Sequence, residues 1–92
     1  MNFGKAIELL KQGKRVCRKG WNGKNMFIYL VEGTTLENRN KLRNEADNHI
    51  PNLKGEIKIN SHIDMFTAQE TIIVGWVASQ TDMLAEDWEI AN

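Results

Sequence analysis

From Ile57 the chain alternates for ten positions. Ile57, Ile59, Ser61, Ile63 and Met65 fall on one side of an extended backbone, and Lys58, Asn60, His62, Asp64 and Phe66 fall on the other. A period of two excludes a helix and predicts a strand with one face covered. Two further runs, Met26–Val31 and Thr71–Ala78, are apolar, β-branched and aromatic without clean alternation, and read as strands buried on both faces. Ala68-Gln69-Glu70 turns the alternating strand back into the second of these. Lys14–Arg18 pairs with Met26–Val31 as a hairpin through Lys19-Gly20-Trp21-Asn22-Gly23, whose glycines and Asn-Gly step permit the positive φ of a tight turn.

Helical spacing is confined to the ends. Phe3, Ala6, Ile7 and Leu10 share one face of a helix over 3–12, with Asn2 as N-cap and Gly13 as the left-handed stop. Thr81-Asp82 caps a short helical turn through Met83, Leu84 and Ala85, and Trp88-Glu89-Ile90 closes as an edge strand. Residues 32–55 hold the sole proline, Pro51. Leu36, Leu42, Ala46 and Ile50 are too sparse there for more than a variable loop with one helical turn. The expected fold is α+β, a small single domain over 1–92 with an N-terminal helix packed on an antiparallel β-sheet and a short C-terminal helical turn.

A chain of 92 residues has no room for a second module. Its size implies burial of roughly 65% of the unfolded surface, a modest core that self-association would support. No apolar stretch approaches the roughly 18 residues that cross a bilayer, and the start does not resemble a signal peptide, so a cytoplasmic protein is expected. Cys17 has no partner for a disulfide or a CxxC zinc site and reads as a small half-buried strand residue.

Charge is balanced overall and divided along the chain. Residues 1–31 carry Lys5, Lys11, Lys14, Arg15, Arg18, Lys19 and Lys24 against Glu8 alone, whereas residues 61–92 carry six acids and no Lys or Arg. Opposite fields of this kind predict that the two ends lie together, within one chain or across subunits. They also disfavour duplex nucleic acid, which requires unopposed positive charge.

Catalytic equipment is sparse: the sequence has no GxSxG, P-loop, HExxH or Rossmann fingerprint. His62 and Asp64 share a strand face and read as a structural pair, and His49 as solvated. Asp82, Glu86, Asp87 and Glu89 have nothing in the sequence to set a metal or acid-base geometry. No catalytic residue, metal or cofactor is assigned. Binding is better supported. Trp21 lies in a Gly-flanked turn, and Trp76 leads into Ser79-Gln80-Thr81-Asp82. Aromatic faces beside amide, hydroxyl and carboxylate groups suit a purine or nicotinamide-like ring, with Arg18, Lys19 and Lys24 available to a pyrophosphate. The tryptophans fit equally as core or subunit-interface anchors, and Trp88 is assigned to the core first.

The opening MNFGKAIELLKQGKRVCRKGWNGKNMFIYLV, the central HIDM and the closing GWVASQTDMLAEDWEI closely resemble the Thoeris anti-defence type II family of small phage and prophage proteins. Gly75 departs from the proline that many relatives carry before the tryptophan. The resemblance implies a homotetrameric sponge in the host bacterial cytoplasm. Such a sponge sequesters the cyclic nucleotide-type immune messenger 1''-3' glycocyclic ADP-ribose without cleaving it, and cyclic oligonucleotide messengers are also within reach. At the signature positions, Trp21 and Trp76 are expected to stack on the base. Asn22, Gln80, Thr81 and Asp82 are expected to bond base and ribose, and Arg18 or Lys24 to face phosphate. Two other classes stay open: a protein-interaction inhibitor of a host enzyme, and a cyclic-nucleotide hydrolase using His62 with the acidic cluster.

Overall fold

A computed structural model describes residues 1–36, 44–50 and 55–92 of the chain. In chain order the elements are α1 (Phe3–Lys11), β1 (Val16–Arg18), β2 (Phe27–Val31), β3 (Thr34–Leu36), α2 (Asn44–His49), β4 (Ile57–Ile59), β5 (His62–Phe66), β6 (Ile72–Ile73), α3 (Gln80–Leu84) and β7 (Trp88–Ile90). They form two compact units, one built from Met1–Val31 with His62–Asn92 and the other from Glu32–Ser61.

The first unit is an α+β layer pair. Asn2 accepts the Lys5 N–H at 2.8 Å and so satisfies one of the donors that a helix start leaves unpaired. Gly13, at φ 85°, ends the helix as expected. The five-stranded sheet is antiparallel throughout, in the order β6-β5-β2-β1-β7. Val16 lies opposite Ile28 on one side and Ile90 on the other, and Ile28 lies opposite Met65. With side chains alternating across the pleat, these residues share the face that receives Ala6, Leu9 and Leu10 of α1, and Trp88 completes the core. The pairing of β1 with β7 brings the basic and acidic ends together within one chain, as the charge division requires.

Several expectations are corrected. The ten-position alternation is not one strand: it breaks at Asn60-Ser61, so that β4 pairs with β3 in the second unit and β5 joins the five-stranded sheet. Period-two patterning marks extended backbone and carries no information about which sheet receives it. The run Thr71–Ala78 is not a buried strand. Only Ile72–Ile73 pair, at the sheet edge, and Ile72, Ile73, Val74 and Val77 are all exposed. In β2 only Ile28 is fully buried, because α1 covers a single face of the sheet. The turn glycines Gly20 and Gly23 do not take positive φ; that conformation falls to Asn25 at 61°. Gly23 is required for space instead, since a Cβ there would lie 2.6 Å from that of Ala68.

In the second unit β3 and β4 form an antiparallel pair with Leu36 opposite Ile57, and the Gly33 N–H donates to Ser61 Oγ at 2.9 Å. At three residues β3 is too short for an alternation to show in the sequence, and α2 supplies the single helical turn anticipated in the variable segment. Leu42 and Pro51 lie outside the described residues. Among the described residues no helix is long and apolar enough to cross a membrane.

Leu10 is 1% exposed at the centre of the helix–sheet contact. Leu10→Ala removes its buried methyl groups and leaves a void, and is expected to cost about 2–5 kcal/mol. A urea titration followed by tryptophan fluorescence reads this as a lowered midpoint.

Candidate ligand-binding site

The site is organised by the short helix α3. Ser79 is its N-cap, and its hydroxyl accepts the Asp82 N–H at 3.0 Å while Asp82 Oδ2 accepts the Ser79 N–H at 3.2 Å. This reciprocal capping box holds the Asp82 carboxylate in one orientation. The cap was expected at Thr81-Asp82; it begins two residues earlier, with Asp82 as the third helical residue. Asp82 Oδ1 then accepts from Arg18 Nη1 at 2.8 Å and from the Trp21 indole N–H at 3.2 Å, and the Asp82 carbonyl accepts the Trp88 indole N–H at 2.9 Å.

Arg18 is gripped from a second side. Its Nε donates to Asp87 Oδ1 at 2.8 Å, and Asp87 Oδ2 accepts the Gly20 N–H at 2.8 Å. The N-terminal ammonium donates to the carbonyls of Glu86 at 3.1 Å and Trp88 at 2.8 Å. The turn that carries Trp21 is thereby fastened to the C-terminal segment at several points.

The three tryptophans form one cluster. Trp21 meets Trp88 at 5.4 Å and Trp76 at 6.3 Å, and Trp76 meets Trp88 at 6.4 Å, all edge to face. These are the separations and tilts that aromatic quadrupoles favour. Trp88 is buried and stacks near Phe3, as expected for the core residue, while Trp21 and Trp76 remain half-buried. Trp76 is held from below by two contacts. Its backbone N–H donates to the Ile63 carbonyl at 2.7 Å, and the Gly75 N–H donates to buried Asp64 at 3.0 Å. Asp64 also lies 3.5 Å from His62 Nε2, which agrees with the structural reading of that pair. Gly75 stands at φ 79° and uses its N–H. Proline could satisfy neither condition at this position.

Beside Trp21 an open groove of about 570 Å³ runs across the sheet, lined among others by Arg15, Lys19, Trp21, Asn25, Phe27 and Phe66. Phe27 and Phe66 stack at 5.3 Å, and the Arg15 guanidinium lies 4.6 Å from the Phe27 ring centroid. Of the residues singled out from the sequence, Trp21, Arg18 and Lys19 line the groove. Trp76 and Asp82 join them through the cluster and the hydrogen bonds. Asn22 and Lys24 are exposed in the turn, and Gln80 and Thr81 are exposed on α3, outside the groove lining. Sequence reasoning missed Arg15, Asn25, Phe27 and Phe66. The signal was present in the strand period: Arg15 and Cys17 alternate with buried Val16, and Phe27 with buried Ile28, so these residues face away from α1.

Burial opposes ionisation of Asp82, and the hydrogen bonds from Arg18, Trp21 and Ser79 outweigh it, so its carboxyl titrates below the ordinary range. Asp87 is lowered chiefly by its bond to Arg18. Burial, followed by the neighbouring Glu89, raises the Cys17 thiol, which therefore stays protonated and a poor nucleophile. Among the described residues no three metal-ligating side chains gather.

The sign of the pH dependence follows. Both aspartates ionise more readily in the folded chain than in the unfolded one. Their contribution is complete above the unfolded value of about 3.9 and is lost as pH falls through the lowered folded values. Arg18→Ala is expected to lower the urea midpoint at neutral pH and to leave a gap from the wild type that narrows as pH falls below about 4. Parallel urea titrations across that range check both.

Comparison with known proteins supplies the family. The Thoeris anti-defense 2-like domain matches residues 1–91. A curated relative, Thoeris anti-defense 2 of Bacillus phage SP01, is 41% identical over 92 residues, covering all of this chain and 96% of its own length. A match that takes in the capping box, the tryptophan cluster and both sheet edges leaves one assignment: the chain belongs to the Thoeris anti-defense 2-like family.

Proposed function

We propose that this anti-defence protein is a stoichiometric trap for 1''-3' glycocyclic ADP-ribose, binding the messenger as a homotetramer in the host cytoplasm and returning it uncleaved. The observation that carries the reading is the groove in which the Trp21 ring stands beside Arg15 and Lys19. A messenger of this kind has a purine ring and a pyrophosphate. A half-buried indole suits the first, and two cations in the same lining suit the second.

In this reading Trp21 stacks on the base and Trp76 widens the aromatic surface. Arg18 spends its charge on Asp82 and Asp87, so its part is to hold Trp21 in place, while Arg15 and Lys19 meet phosphate. Asn22, Lys24, Gln80 and Thr81 are exposed, and they act on ligand at a contact between neighbouring subunits. A trap removes one messenger per pocket, so affinity has to come from a site that needs little ordering on binding. The many bonds that fasten the Trp21 turn supply that rigidity.

The test is to incubate the protein with glycocyclic ADP-ribose, remove unbound ligand by filtration, denature the protein and identify what is released. Intact messenger is the expected result. Breakdown products would make the protein a hydrolase, and no nucleotide released from the retained protein would argue for another ligand or for the protein-interaction inhibitor. Calorimetry on Trp21→Ala is expected to show binding weakened ten- to a hundredfold, corresponding to about 1–3 kcal/mol for one stacking ring.

A further inference from the structure

Strand β6 ends early, and the way it ends decides where Trp76 goes. The Thr67 N–H donates to the Thr71 carbonyl at 2.9 Å, so Thr67 and Thr71 are a hydrogen-bonded pair where β5 turns back into β6. Bonded and non-bonded pairs alternate along antiparallel strands, which makes Met65 with Ile73 the next bonded pair and Ile63 with Gly75 the one after it. A regular ladder would therefore give the Ile63 carbonyl to the Gly75 N–H. The structure gives it to the Trp76 N–H instead, at 2.7 Å. Gly75 is thus an extra residue in its strand, a β-bulge with the left-handed φ of 79° that such insertions ask of glycine.

The insertion changes the side on which Trp76 falls. Ile73 lies opposite Met65, on the side of the sheet that faces α1, so strict alternation would put Trp76 on the other side with Ile72 and Phe66. With one residue added, Trp76 packs against the core and edge to face with Trp88 and Trp21. The bulge also deprives the Gly75 N–H of its ladder acceptor, and Asp64 Oδ1 supplies one at 3.0 Å. Asp64 is only 6% exposed, and His62 Nε2 lies 3.5 Å from the same oxygen. Burying a carboxylate costs free energy that a regular ladder would avoid, because there the Ile63 carbonyl would satisfy Gly75 with no side chain involved. The costlier arrangement differs in its outcome by the aim of Trp76.

We propose that Asp64 is a positioning residue for the ligand site: by holding the Gly75 bulge in place it aims the Trp76 indole at Trp21 and so completes the aromatic surface offered to a planar base. Asp64 acts through Trp76 and does not itself meet the ligand. Its effect on binding rests on the proposed trap, whereas the aiming of Trp76 rests on the backbone register alone.

Two readouts on the full chain test it, the exciton couplet of the tryptophan cluster in circular dichroism and the affinity for glycocyclic ADP-ribose by calorimetry. Trp76→Ala sets the scale, with the couplet diminished and binding weakened about tenfold. Asp64→Leu, which fills the space without an acceptor, is expected to reproduce both losses. Asp64→Asn, which keeps the acceptor oxygen, is expected to restore both. Added to Trp76→Ala, Asp64→Leu is expected to change affinity by less than about twofold, as for a residue that acts only through the ring. A folded Asp64→Leu that keeps the wild-type couplet would overturn the proposal, and so would an equal loss of affinity with and without Trp76. Should Asp64→Leu fail to fold, hydrogen exchange on the wild type decides: a protected Gly75 amide supports the bond to Asp64, and one that exchanges as freely as an exposed turn amide overturns it. A wild type that takes up no messenger would overturn the trap, and the couplet would still decide whether Asp64 aims Trp76.

Discussion

Arg18 sits between Asp82 and Asp87 with a 2.8 Å bond to each, and most of what distinguishes this molecule follows from that placement. The arginine belongs to β1 near the start of the chain and the carboxylates to the segment around α3 near its end, so the contact closes the unit that both ends build. Its two acceptors engage different nitrogens of a planar guanidinium, which fixes direction as well as distance. Asp82 in turn also accepts the Trp21 indole N–H, so the charge network and the aromatic cluster are one construction. No buried side-chain polar atom lacks a partner among the described residues. A polar network in a partly buried setting strengthens a fold only when it is satisfied in this way.

That construction explains how so small a core presents a rigid aromatic site. Trp88 is buried, and Trp21 and Trp76 pack their edges on it while keeping part of their surface exposed. The Trp21 ring is tethered through its indole N–H to Asp82, and the backbone that carries Trp76 is tied to the Ile63 carbonyl. The Trp21 orientation is therefore set before any ligand arrives. In the proposed trap this matters more than the number of contacts, since a ring already held in place loses little freedom on binding.

Much of this was legible in the sequence, and the parts that were not share a cause. The helix α1 was readable because its apolar spacing, cap and stop agree, and the β1–β2 hairpin because a turn with Gly and Asn separates two β-rich runs. The structure brings together the tryptophans and Asp82 that the sequence singled out, yet their mutual geometry depends on contacts more than sixty residues apart in the chain. The 71–78 run misled because apolar β-branched residues normally mark a buried strand, and here they mark an exposed edge. Arg15 and Phe27 were passed over because nothing local says that the sheet face opposite α1 is open.

Periodicity, capping residues and the division of charge are local or additive properties, and they alone determined the α+β class, the N-terminal helix and the meeting of the two ends. Partnership is neither local nor additive. Which sheet each half of the alternating run joined, which carboxylate met Arg18, and which edge stayed uncovered were decided only when the chain closed on itself. Each of those outcomes is set by competition among groups that the sequence keeps far apart.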